Sequence, residues 1–197
     1  MDLTKDGHWL KRFLPDGRTG WVRARYLGDA GTGLPAPRSS PTGTTPQRVE
    51  EDLVERVADG DTVTVITPSQ TTLRISVLGI GAPETPKSSK FPGQPHGTEA
   101  EAYLKRLVEG KHVRVEIYGI DRYRQLLSVT FLDGTDIDLA MIEAGLAEVY
   151  RGPESGHPYK GQYQAAEEVA RSAKKGMWVL GDTYESPRAY RKRVGIS

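Results

Sequence analysis

No cysteine occurs in the chain, which excludes disulfide staples, zinc-thiolate sites and a thiol nucleophile. No apolar run approaches the roughly 18 residues that a membrane-spanning helix requires, so no membrane partner is expected. The amino terminus, MDLTKDGHWLKRFL, lacks the apolar core of a signal peptide, and its abrupt start leaves open a longer parent protein. Apolar residues are scarce for a compact protein. They make up 37% of 197 residues, beside 22 glycines and 13 prolines, so part of the chain reads as linker. Charge of one sign is also missing. The whole chain is +1, residues 1–47 carry 7 basic and 4 acidic side chains, and Arg48 to Ser197 carry 20 and 22. Because phosphate binding is largely electrostatic, a domain of net −2 argues against strong non-specific binding to nucleic acid and leaves room for a local basic groove. His8, His96, His112 and His157 show no metal-ligand spacing.

What is present is patterned. Residues 8–27 alternate apolar and polar around Pro15-Asp16-Gly17, a hairpin signal. Gly17-Arg18-Thr19-Gly20-Trp21-Val22 with Tyr26-Leu27 resembles the last strands of a bacterial SH3-like domain, so residues 1–28 read as a hairpin remnant. Residues 29–47 are a Gly/Pro/Ser/Thr-rich linker. From Arg48 the alternation predicts strands through Val57, over Val63 and Val65, and over Leu73, Ile75 and Val77. Thr98 with Glu101 reads as a capping box for a helix carrying Ala100, Leu104 and Val108. Two further strands follow around Val113–Ile117 and Leu127–Phe131. Asp138 is expected to cap a short helix, and a last helix is expected over about 159–175, with Ala166, Val169, Ala170 and Ala173 inward. Residues 181–197 read as a basic tail. The fold class is mainly β with α (α+β): a five-stranded OB-type β-barrel with three helices.

Asp59-Gly60-Asp61, the later Gly79-Ile80-Gly81-Ala82-Pro83-Glu84, Gly145-Leu146-Ala147 and Gly176-Met177-Trp178 carry a resemblance to the staphylococcal nuclease (thermonuclease-like) family across residues 48–180. The resemblance implies an enzyme that holds Ca²⁺ with two aspartates and a backbone carbonyl. It also implies a glutamate that directs water and two arginines that grip the scissile phosphate. Asp61 matches the first metal aspartate and Glu84 the water-directing carboxylate; Ala82 offers the carbonyl. Gly81 stands where the second aspartate is expected, and Ser76 and Gln125 where the two arginines are expected. Arg74 and Arg124 are the neighbouring cations that remain. Tyr123, flanked by Arg122 and Arg124, matches an aromatic on which the family stacks a base, and Tyr150 lies near where a second is expected. With one aspartate, a backbone oxygen and water as ligands, weak or absent Ca²⁺ binding is expected.

Three functions stay open: a nucleic-acid-binding domain with a degenerate phosphodiesterase site, an active Ca²⁺-dependent nuclease with relocated arginines, and a protein-interaction module. The candidate partners are single-stranded DNA or RNA, or a protein, met by a monomer. The bland alternative for the carboxylates is structural, with Asp61 satisfying turn amides and Glu84 paired to Arg74.

Overall fold

The computed structural model describes residues 9–13, 19–23, 45–120, 125–151 and 158–195. The chain divides into two compact units, Met1–Pro41 and Thr42–Ser197. In the first, β1 (Trp9–Phe13) and β2 (Thr19–Arg23) pair antiparallel. Most of the expected linker lies outside the described residues.

The second unit is a closed, mixed five-stranded barrel with helices around it. Its first strand, β3 (Arg48–Asp59), is long enough to serve two neighbours. The amino-terminal half pairs with β7 (His112–Ile120), and the carboxy-terminal half pairs with β4 (Thr62–Ile66). Register shifts after Val54 and Val57 bend the strand where it changes partner, as bulges do at barrel corners. β5 (Thr72–Val77) follows β4, β8 (Leu126–Leu132) follows β7, and the parallel pairing of β5 with β8 closes the ring. Val54, Val65, Ile75, Val113 and Val115 are fully buried inside it, the inward half of the alternation read from sequence. Beside the barrel, β6 (Ile80–Gly81) pairs with β10 (Glu148–Val149), and β9 (Thr135–Asp136) folds back on β8.

Helix α1 (Gly97–Val108) buries Ala100, Leu104 and Val108 on one face. It does not begin with the expected capping box, because His96 is the N-cap, in a left-handed conformation. A Cβ on Gly97 would lie 2.2 Å from the carbonyl oxygen of Glu84, so the helix starts where its backbone packs on the loop after β6. Helix α2 (Ile137–Glu143) is capped by Asp136, whose Oδ1 accepts the Leu139 amide at 2.9 Å. Asp138 is instead buried and takes the Thr130 amide at 3.0 Å. Helix α3 (Lys160–Ser172) buries Tyr163, Glu167 and Ala170. Val169 is exposed, as is Ala173 beyond the helix end. The inward face is therefore set by a tyrosine bonded to Asp136 and a glutamate bonded to Arg151, polar seats that apolar periodicity does not mark.

Residues 187–194, read from sequence as part of a tail, form a fourth helix, α4 (Pro187–Val194). Ser186 caps it, accepting the Ala189 amide at 3.1 Å, and Pro187 occupies its first turn. The 3-10 segment Gly176–Thr183 leads into it. That segment leaves α3 against α2: a Cβ on Gly176 would lie 2.3 Å from the Gly145 carbonyl oxygen, and the Met177 amide donates to that same oxygen at 2.9 Å.

Candidate active site

The turn between β3 and β4 is tightly enclosed. A Cβ on Gly60 would lie 2.6 Å from the Cβ of Ala82 and 2.8 Å from that of Ala100, so glycine is what lets the turn meet the loop after β6 and helix α1. Asp59 is the residue that satisfies turn amides, its Oδ1 accepting from Gly60 at 2.9 Å and Thr85 at 3.3 Å. Lys87 Nζ stands 3.2 Å from the other oxygen. Burial raises the Asp59 pKa, the Glu84 charge adds to this, and Lys87 opposes it.

Asp61 and Glu84 face one another's partners across this turn. Asp61 Oδ1 accepts from the Thr62 hydroxyl at 3.0 Å and Oδ2 from the Ala82 amide at 3.2 Å. Glu84 Oε2 accepts from Lys87 Nζ at 2.8 Å, and Oε1 from Arg191 Nη1 at 2.6 Å. The same guanidinium nitrogen is 3.9 Å from Asp61 Oδ2. Arg191 reaches them from α4, which is strapped to the site loop. Gln94 bonds both the amide and the carbonyl of Glu84 and donates its Nε2 to the Glu185 carbonyl at 2.8 Å, while the Tyr190 hydroxyl accepts the Gly93 amide at 3.1 Å.

The two carboxylates respond oppositely to this setting. Burial, then the Asp59 charge, pushes Asp61 up to about 6, with Arg191 pulling the other way. Burial would also raise Glu84, but the hydrogen bonds from Lys87 and Arg191 outweigh it and hold its pKa below the usual value. Both cations are raised in turn; burial acts against each, and the facing carboxylates overcome it.

Among the residues singled out from sequence, Asp61, Gly81, Ala82 and Glu84 lie around one short stretch of backbone. Ser76 is beside them: it is the β5 partner of Thr62, and the Val77 amide donates to the Asp61 carbonyl at 3.0 Å. Gln125 immediately precedes β8, whose Leu126 is the partner of Ile75, one strand further round. Arg74 is exposed and, among the described residues, pairs with neither carboxylate. Glu84 finds its ion pairs instead in Lys87, three residues further along the same loop, and in Arg191 of α4. Tyr150 is half-buried, with the Arg188 guanidinium 6.0 Å from its ring centre. Arg122, Tyr123 and Arg124 lie outside the described residues. Sequence reading missed Lys87 and Arg191 as site residues. Lys87 follows Glu84 by three positions, which was a usable signal; Arg191 is 107 positions away.

Calcium takes six to eight oxygen ligands. Here all four oxygens of Asp61 and Glu84 already accept hydrogen bonds from the chain. Ala82 turns its amide, a donor, toward Asp61. Among the described residues no group of three or more His, Asp or Glu side chains is arranged to hold a metal ion. The residues present do not fit a calcium site. What they make is a compact, alternating array of three carboxylates and two cations.

Residues 74–179 match the family described as Staphylococcal nuclease homologue. The chain is 37% identical over 131 residues to "Probable endonuclease lcl3" of Botryotinia fuckeliana (strain B05.10), covering 62% of this chain and 49% of that protein. It is 36% identical over 134 residues to the protein of the same name from Sclerotinia sclerotiorum (strain ATCC 18683 / 1980 / Ss-1), covering 64% and 50%. With "Probable endonuclease LCL3" of Saccharomyces cerevisiae (strain RM11-1a) it shares 35% over 130 residues, covering 62% and 47%. The chain spans about half the length of the curated relatives it matches.

Proposed function

This chain belongs to the staphylococcal nuclease homologue family, and we propose that within its nuclease-like domain the phosphodiesterase centre is degenerate and what remains is the holding of single-stranded nucleic acid. One observation carries the reading: Glu84, the candidate water-directing carboxylate, is clamped between Lys87 and Arg191. A carboxylate whose two oxygens both accept charge-assisted bonds is a poor acceptor for a proton from water. The absence of arginine at Ser76 and Gln125 supports the same reading, since loss of one transition-state donor typically costs about 10²–10³ in rate. Tyr150, beside Arg188, supplies the aromatic-plus-cation pairing on which single strands stack.

A digestion assay on single-stranded DNA and RNA, with and without Ca²⁺, tests this against a Glu84→Gln control. Wild type and control are expected to match. Binding is read separately, by fluorescence anisotropy of a labelled oligonucleotide. Tyr150→Ala is expected to weaken it by roughly 5- to 150-fold, the equivalent of about 1–3 kcal/mol for one stacked base. Cleavage by wild type well above the control would favour a working nuclease with relocated cationic groups. The 2.6 Å approach of Arg191 to Glu84 makes Arg191, rather than Arg74, the first residue to mutate in that case.

A further inference from the structure

We infer that Arg191 stands in the place of the metal ion: its guanidinium is the resident cation of the Asp61–Glu84 cluster, and Gly81 withholds the third carboxylate from it. The inference rests on reading this cluster as a phosphodiesterase centre without its metal. Three observations carry it. Arg191 Nη1 lies 2.6 Å from Glu84 Oε1 and 3.9 Å from Asp61 Oδ2, so one positive group bridges both carboxylates. The missing side chain of Gly81 points at the same group: a Cβ built there would lie 4.0 Å from Arg191 Nη2, and 3.8 Å and 3.9 Å from the Cβ and Cγ of Pro187. A carboxylate extended from that Cβ would come within ion-pair reach of the guanidinium, beside the first turn of α4. The two positions are therefore complementary.

The backbone does not explain the glycine. Gly81 is absent from the glycines with positive φ, and the three contacts its Cβ would make are ordinary van der Waals distances. An aspartate fits the strand and would pair with the neighbouring cation; glycine leaves the guanidinium to Asp61 and Glu84. By contrast, Gly60 and Gly97 are required by their surroundings, with Cβ approaches of 2.6 Å and 2.2 Å.

The inference makes the double substitution different from the sum of its parts. In Gly81→Asp alone, the new carboxylate pairs with Arg191 and recruits no ion. In Arg191→Met alone, Glu84 Oε1 is freed and Asp61 loses its nearby cation, but one acidic ligand is lacking. Together they restore three carboxylates facing an open position, and divalent affinity rises with ligand charge count. Calorimetric titration of the full chain with Ca²⁺ is expected to give no micromolar binding for wild type or Gly81→Asp, at most millimolar binding for Arg191→Met, and at least about tenfold tighter binding for the double variant. A folded double variant that binds no more tightly than Gly81→Asp overturns the inference. Melting curves of wild type in Ca²⁺ and in chelator give a second reading that needs no variant to fold. Coincident curves support it, and a shift that Asp61→Ala abolishes overturns it. The outcomes separate it from the functional reading. Cleavage in chelator removes the degenerate-site reading and leaves Arg191 as the resident cation; micromolar Ca²⁺ binding by wild type without cleavage does the reverse.

Discussion

Two buried carboxylates, one with partners and one without, respond to pH in opposite directions. Glu84 has Lys87 and Arg191, and its pKa is lowered, so its pairing stabilises the fold at neutral pH and is lost as pH falls below the ordinary glutamate range. Asp52, on β3, is 1% exposed, and neither of its oxygens has a hydrogen-bond partner among the described residues. Burial, with Glu50 adding, raises it from 3.8 to about 6 while Arg48 opposes. A folded-state pKa above the unfolded one means stability that is full below 3.8 and lost as pH rises through about 6. The loss amounts to at most roughly 3 kcal/mol. Asp52→Asn should therefore raise stability at pH 7 and leave it nearly unchanged at pH 4, as read from urea midpoints at the two values. A stabilisation equal at both would show that packing, not ionisation, governs the site.

Among the elements, α4 is where sequence and structure part most usefully. The barrel strands were legible because Val63, Val65, Leu73, Ile75 and Val77 alternate with polar residues, and one-sided burial fixes such a register. The start and stop of α4 were legible too: Ser186-Pro187 opens it and Gly195 closes it at φ 72. Its basic residues, taken as a run, masked these signals and suggested a solvated tail. What no local pattern revealed is the destination of Arg191, since pairing across 107 positions depends on how the loop after β6 and the carboxy terminus meet. The misread face of α3 has a similar cause: Tyr163 and Glu167 are buried through hydrogen bonds, and Val169 looks inward only by its hydrophobicity. Two aspartates two residues apart likewise gave no local means of choosing Asp136 over Asp138 as the cap. At this scale, Ser186→Ala should weaken α4 by about 1 kcal/mol. Amide exchange is expected to quicken across Ala189–Val194 while strand amides of the barrel keep their protection. Uniform loss of protection would mean that α4 is part of the global folding unit.

For the molecule as a whole, a net charge of +1 leaves little long-range attraction for a polyanion. Of the exposed cations on the site loop and α4, Lys87 is paired with Asp59 and Glu84 and Arg193 with Glu185, which leaves Lys90, Arg188 and Lys192 for phosphate. Three phosphate contacts on a single strand correspond to a slope of about −2 in a plot of log affinity against log salt. Anisotropy titrations over a salt series are expected to give that shallow dependence. A slope steeper than about −5 would place the principal contacts elsewhere on the chain. The strap formed by Gln94, Tyr190 and Glu185 has a final consequence that belongs to mass action. A dissolved ion occupies its ligands according to its concentration outside the protein. A guanidinium fixed to the same polypeptide has a local concentration set by the reach of the chain between Gly176, locked against Gly145, and Arg191. Dilution does not lower its occupancy and chelators do not extract it. A single cut at the exposed residues Asp182 or Thr183 would make the same pairing bimolecular, and only then would it depend on how much of the partner is present.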